Sequence, residues 1–135
     1  MGTITRSRKG LCVAGTHGKT TTSTLLAHIF QDSEEGCSAF LGGISKNHNT
    51  NLLVSENNTI VAEADEFDRS FLQLFPETAV ITSMDADHLD IYSDISNMHD
   101  AFKAFASQVS GTVITRLGLP ITQEDTKARI NHLSF

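Results

Sequence analysis

Five short apolar runs recur along the chain with helical patterns between them: GLCVAG (10–15), CSAFLGG (37–43), TIVAEAD (59–65), TAVITSM (78–84) and GTVITR (111–116). That alternation argues for an α/β sheet. TIVAEAD and TAVITSM are continuous enough to be buried on both faces, as parallel strands are. A helix is predicted from Lys19 to Gln31, with Leu25, Leu26, Ile29 and Phe30 on one face. A second is predicted from Asp94 to Val109, where Ile95, Met98, Phe102, Phe105 and Val109 recur at steps of three and four and Ser93 or Asp94 can cap. The glycines closing CSAFLGG predict a turn, and SKNHNTN (45–51) predicts a loop. Beyond Pro120 a short helix is expected near 123–129, and INHLSF reads as the start of another strand. Phe67, Phe71 and Phe75, four residues apart, read as a core stripe. A chain of 135 residues, 39% hydrophobic, is one domain by length and can bury an ordinary core.

The first run leads into AGTHGKTTT (14–22). A phosphate-binding loop follows the pattern G-x-x-x-x-G-K-[ST], but the position five before Gly18 is Val13 rather than glycine. Context decides the matter, since a strand precedes this loop and a helix follows it. Gly15 and Gly18 supply the bends, and the helix begins at Lys19, so its unpaired amides point at an anion with roughly half a unit of positive charge behind them. The loop is shortened rather than broken. Gly15, Thr16, His17, Gly18, Lys19, Thr20 and Thr21 are the candidate phosphate-binding residues. Lys19 would neutralise β- and γ-phosphate oxygens and the Thr20 hydroxyl would ligate Mg²⁺, while His17 is expected to offer chiefly its backbone amide.

The formal net charge is −6, which offers no footprint for nucleic acid or for a membrane surface. Seven of the sixteen acids lie in two six-residue windows, EADEFD (63–68) and DADHLD (85–90), and such clustering calls for a cation or basic neighbours. Glu63 follows a strand, where a metal-holding acid is needed, although a lone carboxylate there is more often just exposed. Asp87 and His88 fall beyond the carboxyl end of the next strand, on the edge where open α/β sheets bind ligands. Imidazole is a less common Mg²⁺ ligand than oxygen, so chemistry alone leaves His88 divided between metal binding and a capping role. Asp65, Glu66 and Asp68 either tune the charge around Glu63 or cap a turn.

Cys12 and Cys37 stand singly in apolar runs and read as buried, reduced thiols of a cytoplasmic protein. No apolar run reaches transmembrane length, and the polar start has no signal-peptide core. His28, His99 and His132 have no acidic or cysteine partners at ligand spacing.

GTHGKTTT, EADEFDRSFLQL and ITSMDADHLDIY together resemble the ATP-dependent Mur ligases, which build the peptide stem of bacterial peptidoglycan. The resemblance implies an α/β, P-loop NTPase-like fold, a mostly parallel sheet flanked by helices and truncated. Residues 1–135 would be part of the central ATP-binding domain, with the flanking UDP-sugar and C-terminal domains absent. It implies an ATP-dependent acid–amino-acid ligase with ATP and Mg²⁺ as cofactors, Lys19, Glu63 and His88 as catalytic residues, and Thr20, Glu63 and His88 as metal ligands. The reaction implied is carboxylate attack on the γ-phosphate, then displacement of the acyl phosphate by an amine. His17 and E-A-D-E-x-D-x-S-F-L look most like the branch that joins L-alanine to UDP-N-acetylmuramate. The branch that recycles murein tripeptide, and a non-catalytic phosphate-binding module, are the alternatives. Ser83 stands where relatives often have Asn, and Lys103 lies at a spacing where some relatives carry a carbamylated lysine, which is not expected in the alanine-adding branch. On this reading the chain alone grips phosphate but does not ligate, and an exposed sheet edge makes self-association possible.

Overall fold

The computed structural model describes residues 5, 7–45, 50–66, 69–85 and 95–134. Its centre is β1 (Lys9–Ala14), buried from Gly10 onward, and α1 (Lys19–Asp32) follows after the four-residue loop. Then come β2 (Ser38–Ser45), β3 (Thr50–Leu53), β4 (Thr59–Glu63), a 3₁₀ turn (Ser70–Gln73) and β5 (Thr78–Ile81). The chain ends with α2 (Ile95–Ser107), β6 (Thr112–Arg116), a second 3₁₀ turn (Gln123–Asp125) and β7 (Arg129–Leu133). The strands form one sheet in the order β3-β2-β4-β1-β5-β6-β7, parallel except for the β2–β3 pair. This is the α/β, mostly parallel sheet that the apolar runs predict.

The sheet is covered on each face by its own apolar cluster. Leu11, Ala39, Leu41 and Val61 meet Ala27 of α1, with Leu26 and Phe30 packed alongside. Cys12, Ala62, Ala79, Ile81 and Val113 point the other way, into a larger cluster with Phe71, Met98, Phe102 and Phe105. Phe71 stacks on Phe105 with centroids 5.1 Å apart and meets Phe102 edge-on at 5.4 Å, both favoured aromatic geometries.

Several local expectations change. The buried positions of α1 are Ser23 and Ala27, while Leu25 and Ile29 are more than half exposed. Small side chains let the helix axis approach the sheet, and that rotates Leu25 and Ile29 outward. In α2 the stripe from Met98 to Phe105 is buried as expected, whereas Ile95 is exposed. The predicted caps Ser93 and Asp94 lie outside the described residues, as does Phe67 of the phenylalanine stripe; Phe71 is fully buried and Phe75 half-buried. The expected 45–51 loop ends in a strand, because Thr50 and Asn51 open β3, an antiparallel edge strand too short and too exposed to carry an apolar run. The pair Gly42–Gly43 is no turn either: β2 continues through it to Ser45. INHLSF does begin a strand, and β7 pairs in parallel with β6.

Both cysteines are free and buried, and burial pushes the Cys12 thiol from its ordinary value near 9 up to about 12. Unfolding therefore releases a proton from Cys12 between those values, so the stability held by the neutral thiol is intact below pH 9 and is lost as pH rises toward 12. Urea unfolding should show stability falling above pH 9 by up to about 1.4 kcal/mol per pH unit from this group. Cys12→Ala should remove that part of the slope; an unchanged slope would mean that the thiol ionises as easily folded as unfolded.

Candidate phosphate and metal site

The carboxyl ends of β1, β4 and β5 lie side by side. Val13 pairs with Glu63 across one boundary and Ala14 with Ile81 across the other. The chain leaving β1 is stitched to the end of β5 by the Thr82 amide on Ala14 O (3.0 Å) and the Thr16 amide on Ser83 O (3.2 Å). Gly15 makes that crossing at φ 140°, and a β-carbon there would collide with the Thr82 hydroxyl. Glycine is required on both counts.

Ser83 is the organiser of this loop. Its Oγ accepts the His17 amide at 2.8 Å and lies 3.0 Å from Thr16 Oγ1, which in turn accepts the Asp85 amide at 3.0 Å. A small hydroxyl thus ties the loop to the end of β5 at close range. The amides of Thr16 and His17 are consequently committed to Ser83, contrary to the expectation that His17 offers its amide to an anion. The His17 ring is exposed, 3.7 Å from Asp85. Gly18 is the α1 N-cap in the left-handed region (φ 83°), and no side chain caps the helix. The first-turn amides from Gly18 to Thr21 therefore have no intrahelical acceptor, and the positive end of the helix dipole faces the same edge.

Thr20 and Glu63 meet directly: Thr20 Oγ1 lies 3.1 and 3.0 Å from the two carboxylate oxygens of Glu63. The Gly42 amide donates to Glu63 Oε2 at 2.7 Å. A β-carbon on Gly42 would overlap that carboxylate, so this glycine lets the acid lie against the β2 backbone. Thr20 and Glu63 are hard oxygen donors, the type Mg²⁺ takes, and their convergence fits that ion. Among the described residues no three His, Cys, Asp or Glu side chains gather as a metal cluster, so water and phosphate oxygens would complete the shell. His88 and Asp87, the other expected contributors, lie outside the described residues. Beside Glu63 opens a cavity of about 330 Å³ lined by Glu63, Asp65, Ser70, Phe71, Gln73 and Leu74.

Lys19 holds the feature that sequence left unresolved. Its ammonium donates to Gly15 O at 2.8 Å and to both oxygens of Glu66, at 2.8 and 3.1 Å. Glu66 is completely buried. Its carboxylate is the counter-ion of the loop lysine. Asp65 is exposed, and its carbonyl accepts the Phe71 amide at 3.1 Å. Lys103 is half-buried on α2, and His28 has an acidic neighbour after all, Asp32 at 3.5 Å on the same helix.

A shortened phosphate-type loop between two parallel strands, with an acid at the next strand end, defines a P-loop-like α/β domain. The Mur ligase middle domain matches residues 13–135, and the chain belongs to that family. A UDP-N-acetylmuramate–L-alanine ligase of Porphyromonas gingivalis is 53% identical over 124 residues, which cover 90% of this chain and 27% of that protein. The chain thus spans about a quarter of the length of such curated relatives. The solved UDP-N-acetylmuramate–alanine ligase of Thermotoga maritima superposes with a TM-score of 0.77 at 26% identity, over 93% of this chain and 30% of that one. A ligase from Neisseria meningitides that joins UDP-N-acetylmuramate to L-alanyl-γ-D-glutamyl-meso-diaminopimelate superposes at 0.85 with 24% identity, over 96% and 47%, a likeness of fold.

The packing of Gly42 on Glu63 gives a direct test. Gly42→Ala should cost about 1–3 kcal/mol in urea unfolding, the range for forced overpacking. Most of that loss should vanish in the Glu63→Ala background, because the added methyl then meets no carboxylate. Additive losses would show that the two groups do not touch.

Proposed function

We propose that residues 1–135 are the phosphate- and metal-binding part of the central domain of an ATP-dependent ligase that joins L-alanine to UDP-N-acetylmuramate in the cytoplasm. The observation that carries the proposal is the convergence of the Thr20 hydroxyl on the Glu63 carboxylate, at the uncapped head of α1 and one residue from Lys19. Identity of 53% to a relative named for that reaction supports the choice of substrates over the tripeptide. It also favours a ligase over a phosphate-binding module without chemistry.

In this reading the α1 amides and Lys19 receive the β- and γ-phosphates of ATP, with Gly15 to Thr21 forming the loop. Thr20 and Glu63, with His88 as the sequence reading adds, would hold Mg²⁺, which would supply neutralisation of the phosphoryl oxygens as the carboxylate of the sugar substrate attacks. Gly42 and Thr20 keep the Glu63 carboxylate aimed at that point in advance. The amine of alanine then displaces phosphate from the acyl phosphate. Groups that position the sugar and the amino acid are expected on the flanking domains, and such positioning is worth roughly 7–11 kcal/mol. The outer edges of the sheet, β3 and β7, are where another chain could pair.

The test is a phosphate-release assay with ATP, UDP-N-acetylmuramate and alanine, run on the full-length parent and on this chain. Glu63→Ala in the parent should lower kcat by about 10²–10³-fold, as loss of a transition-state charge stabiliser does, with a much smaller change in ATP affinity. This chain alone should show no alanine-dependent turnover. A fully active Glu63→Ala parent, or turnover by this chain near the parent's rate, would contradict the proposal.

A further inference from the structure

All of the hydrogen-bonding capacity of the Lys19 ammonium is already used inside the chain. An ammonium has three donors, and here Gly15 O and the two Glu66 oxygens take them. The two acceptors are not equivalent. The Gly15 carbonyl belongs to the loop that would close around an anion. Glu66 is fully buried, while the Lys19 side chain is 13% exposed. The Glu66 backbone is fixed as well: its carbonyl accepts the Arg69 amide at 3.1 Å, and the neighbouring Asp65 carbonyl accepts the amide of Phe71, a fully buried core residue. The acid is therefore the fixed member of the pair and the long lysine the movable one.

A lysine that left Glu66 for a phosphate would take from a buried carboxylate the ammonium that both its oxygens accept from, a destabilising loss. A lysine that gave up Gly15 O would exchange a neutral carbonyl acceptor for an anionic phosphate oxygen, a stronger partner for an ammonium. Resting on the phosphate-site reading above, we propose that Glu66 is the positioning residue for Lys19. It holds the ammonium at the loop mouth in the empty and the anion-bound states alike, and anion capture exchanges only the Gly15 carbonyl. Because the pair is neutral together, Glu66 also moderates the pull of the loop on polyphosphate. Removing its charge should tighten ground-state binding while loosening the lysine.

The experiment uses this chain labelled with ¹⁵N-lysine and ¹³C-glutamate, with inorganic tripolyphosphate as the probe. In the wild type, Lys19 should give an ammonium signal that exchanges slowly with water, and tripolyphosphate should move that signal while leaving the Glu66 carboxylate resonance at its paired position. Glu66→Gln should lose the slow exchange and bind tripolyphosphate about ten-fold more tightly, since a competing anion next to the lysine has gone; Glu66→Asp should keep part of the slow exchange. Two results would overturn the proposal: a Glu66 resonance that shifts to an unpaired position when tripolyphosphate binds, or a Glu66→Gln affinity equal to or weaker than wild type. The first needs no variant, so it holds even if Glu66→Gln folds poorly. If wild-type amides of residues 15–20 ignore tripolyphosphate altogether, the phosphate-site reading fails and this proposal with it. Binding without the predicted Glu66 behaviour defeats this proposal alone.

Discussion

Val13 lies level with Glu63 on one side of β1 and with Val80 on the other, and that register dictates what the carboxyl edge of the sheet can hold. It puts the loop after β1 between an acid at the end of β4 and a hydroxyl pair, Thr82 and Ser83, just past the end of β5. The register is itself enforced by burial. β1 is sandwiched between α1 on one face and the Phe71–Phe105 cluster on the other, so a one-residue slip would turn Leu11 and Val13 into the space of Cys12 and Ala14. Close packing of the core is thus what brings Thr20 to Glu63 across a separation of 43 residues.

The acidic windows acquire distinct physical roles once the sheet is assembled. Glu66 is buried and balanced by Lys19; Glu63 is partly exposed and held by hydrogen bonds from Thr20 and Gly42. Asp85 remains in solvent beside His17. Two glutamates three residues apart thereby face different fates. One is neutralised within the chain, and the other keeps its charge available at the edge. On the proposed function, this division lets a chain with net charge −6 take polyphosphate at this edge, where the head of α1 and a cation held by Glu63 would set the local field.

The parts of the fold legible in the sequence were those with a continuous buried signal. The runs of β1 and β4 are apolar because both sheet faces are covered there, those of β5 and β6 alternate buried with half-buried residues, and the α2 stripe from Met98 to Phe105 is long enough to show its period. Illegible elements were those whose packing rests on small residues or close backbone approach. Ser23 and Ala27 bury α1 without looking apolar, and Gly42 reads as a turn until the Glu63 carboxylate is laid against it. The same holds at the site. Lys19, Thr20 and Glu63 follow from motif and strand end, but the Lys19–Glu66 pair does not. Its only hint was an acid three residues past Glu63, on a turn returning toward the loop.

On the proposed function, a divalent cation carried by nucleotide sits between Thr20 and Glu63. Mn²⁺, which shares the oxygen preference of Mg²⁺, can report its own position by broadening nearby resonances. With a non-hydrolysable ATP analogue present, substoichiometric Mn²⁺ should broaden the signals of Thr20, Gly42 and Glu63 first, and Lys19 and Gly18 next. Broadening centred elsewhere, for instance on Glu34, Glu35 or the exposed acids near Thr122, with Thr20 and Glu63 still sharp, would contradict it.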